Sequence, residues 1–164
     1  MKKVLSFVLI LALVLTCSVA AVPVSALTSG DFEYEVNPDG KSVTITKCND
    51  ALTSVVIPSQ IDGYPVTNVS RFAFTYCNNL ESITADEGNS YFSSKDGVLF
   101  NKDKTELIKY PAASSTTSYA VPLSVKDISD EAFYNCDNLE SITLPFGVKT
   151  IGNSSLRAVI SLQI

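Results

Sequence analysis

The chain has 164 residues, with 12 Lys and Arg against 17 Asp and Glu, a formal charge of −5, and neither histidine nor tryptophan. Net acidity argues against nucleic acid and anionic membrane surfaces as partners, and without histidine no Cys-His nucleophile can form within the chain. The length accommodates one domain with a sizeable core and not a second full-sized one.

Residues 1–26 read as a secretory signal peptide: Lys2 and Lys3, an apolar run from Val4 to Leu15, then Val24-Ser25-Ala26 with small residues for cleavage. The apolar run falls short of the ~20 residues a membrane helix requires, so no span is expected in the mature chain, which should begin near Leu27. Cys17 follows Thr16, a poor lipidation context. The mature part keeps ten basic against seventeen acidic residues, a charge of −7. Export would permit disulfides, yet Cys48, Cys77 and Cys136 are an odd, widely spaced set that makes a poor disulfide framework and matches no zinc-ligand pattern.

Residues 27–50 contain DFEYEVNPDGKSVTIT, which alternates Phe32, Tyr34, Val36 and then Val43, Ile45 around Asn37-Pro38-Asp39-Gly40. This predicts a β-hairpin covering the open edge of whatever follows.

From residue 51 onward the chain repeats itself. CNNLESIT at 77–84 returns as CDNLESIT at 136–143, and laying residues 144–164 under 121–143 pairs Pro122 with Pro145, Val125 with Val148, Ile128 with Ile151, Phe133 with Leu156, Cys136 with Val159 and Leu139 with Leu162. The period is 23 residues. The earlier copy, 57–84, fits with five extra residues around an Asp62-Gly63 turn. Units this short cannot bury their apolar positions alone and must stack into a solenoid.

Register from the prolines aligns ALTSVVIP (51–58), NLESITAD (79–86), TTSYAVP (116–122) and NLESITLP (138–145) as about four parallel rungs. Alternation points Val55, Ile83, Tyr119 and Ile142 inward, with Ile57, Ala85, Val121 and Leu144. Outward lie Ser54, Ser82, Ser118 and Ser141 in one column and Val56, Thr84, Ala120 and Thr143 in the next. SRFAF and SDEAFYNC are expected to form short helical turns opposite the strands, with Ser129 or Asp130 as cap. The segment at about 91–111 interrupts the repeat and alternates around Asn101 to Thr105, predicting an inserted hairpin that projects sideways between the second and third rungs.

Ala132-Phe133, Cys136, Leu139, Ile142, Leu144-Pro145, Val148 and Ile151-Gly152, with Ala73-Phe74, Cys77, Leu80 and Ile83, resemble the BspA-like bacterial leucine-rich repeat family. The likeness covers nearly all of 31–156. It implies a β-rich α/β repeat solenoid with strands on the concave face, in exported proteins associated with attachment, and it supplies no catalytic residues. Leu156 in place of Phe, Asn153 to Ser155 at the turn, and Ile160 where Asp137 sat depart from the pattern, and the chain is expected to end before a counterpart of Ile142. The C-terminus is then either an abbreviated cap or a truncation.

Cys77 and Cys136, with a rung between them, should lie about 10 Å apart, beyond the roughly 7 Å limit for bridged alpha carbons. They are expected as buried small hydrophobes. A carboxylate hydrolase needs two well-separated acids, and Asp86-Glu87 and Asp130-Glu131 fall outside the outward columns. NKDKTE lacks the spacing of a calcium-binding loop. The sequence therefore predicts no enzyme, no cofactor and no metal. It predicts a secreted or cell-surface module contacting an extracellular protein or glycan through Ser54, Val56, Ser82, Thr84, Ser118, Ala120, Ser141 and Thr143, with Tyr64 and Tyr91 as other contact points. The alternative is a structural spacer or fragment without its own ligand. An open last rung would allow self-association.

Overall fold

The computed structural model describes residues 26–157 and 161–163, so residues 1–25 of the signal-peptide segment and the repeat positions Val159 and Ile160 lie outside the described residues. The chain opens with an antiparallel meander, β1 (Leu27–Ser29), β2 (Phe32–Val36) and β3 (Val43–Cys48). The β2–β3 turn is organised by Asp39, whose Oδ1 accepts the amides of Lys41 (2.8 Å) and Ser42 (3.1 Å), and by Gly40 at φ +64°.

The first rung follows as β4 (Ser54–Ile57), β5 (Gln60–Ile61) and β6 (Tyr64–Val69), and β7 (Ser82–Ala85) begins the second. β4 and β7 pair in parallel, Ser54 opposite Ser82 and Val56 opposite Thr84. On the opposite side β6 pairs in parallel with β3, so the meander extends the solenoid edge. Next come β8 (Phe92–Lys95), β9 (Val98–Asn101) and β10 (Glu106–Lys109), and then β11 (Ser118–Ala120), β12 (Asp127–Ile128), β13 (Ser141–Thr143), β14 (Thr150–Ile151) and β15 (Ser161–Gln163). β11, β13 and β15 form one parallel ladder, and β10, β12 and β14 the other.

The strand face thus carries five rungs, one more than the sequence suggests. The added rung is β15, where Leu162 pairs with Ile142 rather than aligning with Leu139. The last connection is three residues shorter than the period, which places a counterpart of Ile142 within the chain.

SRFAF and SDEAFYNC are not helical, and no helix occurs among the described residues. They are successive tight turns: Ala73 bonds back to Ser70 (2.9 Å) and Tyr134 to Glu131 (3.0 Å). Two causes are visible. Glu131 and Asn135 sit at φ +57° and +59°, outside helical geometry. Groups that a helix would pair internally also cross to the neighbouring rung: Cys48 donates to the Ala73 carbonyl (2.8 Å), Tyr110 to Ala132 (2.8 Å), Glu131 to Asn153 (2.9 Å) and Phe133 to Ser155 (2.9 Å). Ser129 and Asp130 likewise bridge rungs instead of capping their own turn, Ser129 Oγ donating to Glu106 Oε1 (2.6 Å) and Asp130 Oδ1 accepting the Asn153 amide (2.6 Å).

The inserted segment also differs from expectation. It contains the β9–β10 hairpin around Asn101 to Thr105, but a second, tighter turn at Asp96-Gly97 joins β8 to β9, with both residues at positive φ (54° and 76°). It lies inside the molecule rather than projecting from it. Val98, Leu99 and Phe100 are all buried, Leu99 joining Phe92, Ile83 and Val55 in one core and Val98 and Phe100 joining Phe133, Leu139 and Ile142 in the other. Three consecutive apolar residues in a strand require cover on both faces.

The Asp96-Gly97 turn meets the free edge of β7. Ile83 donates its amide to the Gly97 carbonyl (2.8 Å) and Ala85 to Ser94 Oγ (3.2 Å), so β7 does not pair with β11. Lateral ties also join the halves, among them Ala113 N to Leu80 O (2.7 Å) and the Arg71–Asp130 ion pair (3.4 Å). An exposed pair contributes at most about 1 kcal/mol, whereas burying a side chain such as Leu99 contributes roughly 2 kcal/mol. β9 therefore holds the halves together.

Gly97 combines positive φ with a position where an added Cβ would lie 3.0 Å from Ser82 Oγ. Gly97→Val should cost about 2 kcal/mol in urea unfolding, with Gly97→Asn recovering part of the loss because Asn tolerates left-handed backbone. Equal stability of the valine variant and the parent would contradict the close seating of the Asp96-Gly97 turn against β7.

Candidate functional site

The outward positions of the strand face come from alternation: each inward Val or Ile sends its neighbours to solvent. The structure brings the eight expected residues together in two groups. Ser54, Val56, Ser82 and Thr84 share the β4–β7 ladder, and Ser118, Ala120, Ser141 and Thr143 share β11–β13, which Gln163 of β15 extends beside Thr143. Ser54, Val56, Ser118, Ala120 and Thr143 are exposed, and Ser82, Thr84 and Ser141 are half-buried.

The columns are not continuous. The Asp96-Gly97 turn lies against Ser82 and separates the two groups. Thr84 Oγ1 donates to the Val55 carbonyl (3.4 Å), while among the described residues no side-chain partner is found for Ser54, Ser118 or Ser141. The face is a shallow surface of small hydroxyls and methyls, without an ionisable residue at any of the eight positions. The chemistry these positions offer is hydrogen bonding with van der Waals contact.

Sequence reasoning missed a second feature on the opposite side. β6 and β10 are not paired, and two adjoining clefts of about 410 and 190 Å³ open there, sharing Val69, Glu106, Ile108 and Ser129. Arg71, Asp127 and Asp130 line the larger, and Tyr91 lines the smaller. Tyr91 therefore belongs to this groove and not to the serine columns. The Asp96-Gly97 dipeptide, a hairpin signal, was the available clue that the ladders break here.

Beneath the groove, Lys109 is 6% exposed, and its Nζ donates to the carbonyls of Glu131 (2.9 Å) and Tyr134 (3.2 Å). Burial pushes its pKa down, opposed by Cys136, Glu131 and Cys77. The three described cysteines are buried and unbridged. Among the described residues, no group of three or more Cys, Asp and Glu converges as a metal site.

The residues of the turns and rungs match the model for the BspA-type leucine-rich repeat region over 44–117 and 109–164, in six copies. The chain belongs to this family. Leucine-rich repeat proteins of solved structure are similar to it. The pneumococcal vaccine antigen PcpA shares 28% identity over 69% of this chain and 27% of its own, with a TM-score of 0.61. A leucine-rich cell surface protein from Faecalibacterium prausnitzii shares 27% over 77% and 34%, at 0.62, and a leucine-rich repeat protein from Eubacterium ventriosum 26% over 71% and 37%, at 0.52. The chain thus spans between about a quarter and two fifths of these proteins' lengths. A comparison with curated proteins finds no match.

Within this repeat framework the consensus Cys position is a packing position. Burial raises Cys136 from 9.0 to about 11, with Lys109 opposing the shift. Because the folded value is the higher, its contribution to stability is complete below about pH 9 and is lost as pH rises through 11. The urea midpoint of the parent should therefore fall more steeply between pH 8.5 and 10.5 than that of Cys136→Ala, because the unfolded thiol ionises there while the buried one holds its proton; parallel slopes would show that burial does not raise the Cys136 thiol.

Proposed function

We propose that the protein is an exported, cell-surface repeat module that binds an extracellular protein or glycan along its strand face. The observation that carries this is the in-register display of two patches, Ser54 and Val56 beside Ser82 and Thr84, and Ser118 and Ala120 beside Ser141 and Thr143, uncharged and small. Such a surface admits an extended chain closely and offers hydroxyls to its polar groups. The lack of aromatic side chains in these columns favours a peptide-like ligand over a stacked sugar ring. Export is supported by the sequence of residues 1–26 and by relatives described as a cell surface protein and a vaccine antigen. The reading is non-catalytic.

The test pairs localisation with binding. Fractionation of the producing cells should place the protein at the surface or in the medium. Screening the folded protein against matrix proteins, envelope fractions and glycans should return a ligand whose capture falls at least tenfold in Ser118→Arg/Ser141→Arg, with thermal stability unchanged. Undiminished capture by that variant would remove the strand face from the proposal.

A second reading, a spacer that stacks on further rungs or on another copy, is favoured by the exposed apolar side chains near the last rung. Phe146 is 93% exposed, with Ile151 at 47% and Leu162 at 45%. Light scattering should then show a concentration-dependent dimer that Phe146→Glu disperses; a strict monomer at high concentration would count against self-stacking.

A further inference from the structure

We propose that Cys48, at the end of β3 in the N-terminal meander, and Cys77, in the turns that follow β6 on the first rung, form a disulfide that staples the meander to the solenoid when the protein is exposed to an oxidant. The spacing of the cysteines in sequence conceals this pairing, because the partner of Cys77 lies on the adjacent layer rather than in the other half.

Cys48 donates its amide to the Ala73 carbonyl (2.8 Å), and Glu81 donates to the Thr53 carbonyl (2.7 Å), so hydrogen bonds between the same two layers bracket both cysteines. The two layers, joined in parallel through β3 and β6, are spaced like paired strands, about 4.8 Å, and a disulfide spans alpha-carbon separations of about 4.4 to 6.8 Å. The sulfurs converge on one shared oxygen, that of the Asn49 carbonyl. Cys77 Sγ is 3.4 Å from the Cys48 carbonyl oxygen, and the Asn49 carbonyl oxygen is 3.6 Å from Cys48 Sγ and 3.9 Å from Cys77 Sγ. In the second half the position is filled differently. Tyr110 donates to Ala132 as Cys48 does to Ala73, and Cys136 Sγ faces the Tyr110 carbonyl (3.8 Å). Tyrosine there leaves Cys136 without a thiol partner on the preceding rung.

The two thiols are chemically unequal. Contact with the Cys48 thiol holds Cys77 below the usual thiol value, with Lys109 and Lys47 acting in the same direction, while that contact and burial push Cys48 up. Cys48 faces the approach of a reagent: as thiolate it attacks one sulfur of an external disulfide and expels the other, which takes up the proton Cys48 released. Cys77, the more readily ionised thiol, then attacks Cys48 Sγ and expels the second thiolate, which takes up the proton Cys77 released. The pair loses two electrons and two protons, and the external disulfide becomes two thiols. A cleft of about 270 Å³ beside the β1–β2 turn is lined by Cys48 and gives the reagent an approach.

In the cell the bridge rests on the export proposed above, but its chemistry can be tested apart from it by supplying oxidised glutathione to the purified protein. After oxidation and denaturation, one free thiol should remain of Cys48, Cys77 and Cys136, and a peptide map should join Cys48 to Cys77. Cys136→Ser should leave that link intact, whereas Cys48→Ser and Cys77→Ser should each abolish it. A second arm refolds the reduced protein from urea in the same buffer, so that burial of the thiols cannot hide a competent pair. The linked form should show a higher urea midpoint, reversed by reductant. All thiols free in both arms, a glutathione adduct in place of the link, a bridge to Cys136, or a linked form less stable than the reduced one would each overturn the proposal. Cell fractionation reports on export separately.

Discussion

Between consecutive rungs, backbone amides reach sideways to the neighbouring layer, and the rest of the structure follows from that choice. Cys48 to Ala73, Tyr110 to Ala132 and Phe133 to Ser155 are the same bond made at three levels, and Glu131 to Asn153 is a second bond at the last of them. Because these groups face a neighbour, the segments beside them do not wind into helices. They remain tight turns that drive Phe74 and Phe133 into the interior, where both are buried. A buried amide without a partner is costly, so the stack is stable only while each rung has another to bond.

The interruption at β9 is a consequence of the same requirement. Where the Asp96-Gly97 turn takes the Ile83 amide, the strand-face ladder ends, and a buried strand takes over the task of joining two cores. The second half then restarts as the first did. β2–β3 leads into β6, and β9–β10 leads into β12, each a hairpin followed by a parallel partner. Asn37 and Asn101 even occupy related turns, bonding Ser42 Oγ (2.7 Å) and Thr105 Oγ1 (2.9 Å) through their amides. What reads in the sequence as a cap and an insertion is one device used twice.

This arrangement gives the molecule two dissimilar surfaces. The strand face is smooth because small outward residues recur at fixed spacing, and the opposite groove exists because β6 and β10 fail to pair. Charge gathers at the groove, with Arg71, Glu106, Asp127 and Asp130 around it, and is missing from the eight outward strand positions. A partner approaching the strand face meets hydroxyls and methyls; one approaching the groove meets charges, of which Arg71 and Asp130 are already paired. The two sides therefore select different chemistry on a scaffold that keeps both in place.

The sequence alone determined the solenoid, the inward set from Val55 to Ile142 and the register that sets Ser54 beside Ser82 and Ser118 beside Ser141, because alternation and repeat period are local signals written by neighbouring residues. It also marked the hairpins through Asn37-Pro38-Asp39-Gly40 and Asn101 to Thr105. Tertiary structure alone decided that the ladder breaks after β7, that Leu162 pairs with Ile142, that the Phe74 and Phe133 segments are turns, and that Cys48 faces Cys77. Each of these depends on which of two competing groups captures an amide or fills a space, and the competitors lie far apart along the chain. Periodicity fixes what a rung looks like; only the packed chain fixes which layer it meets.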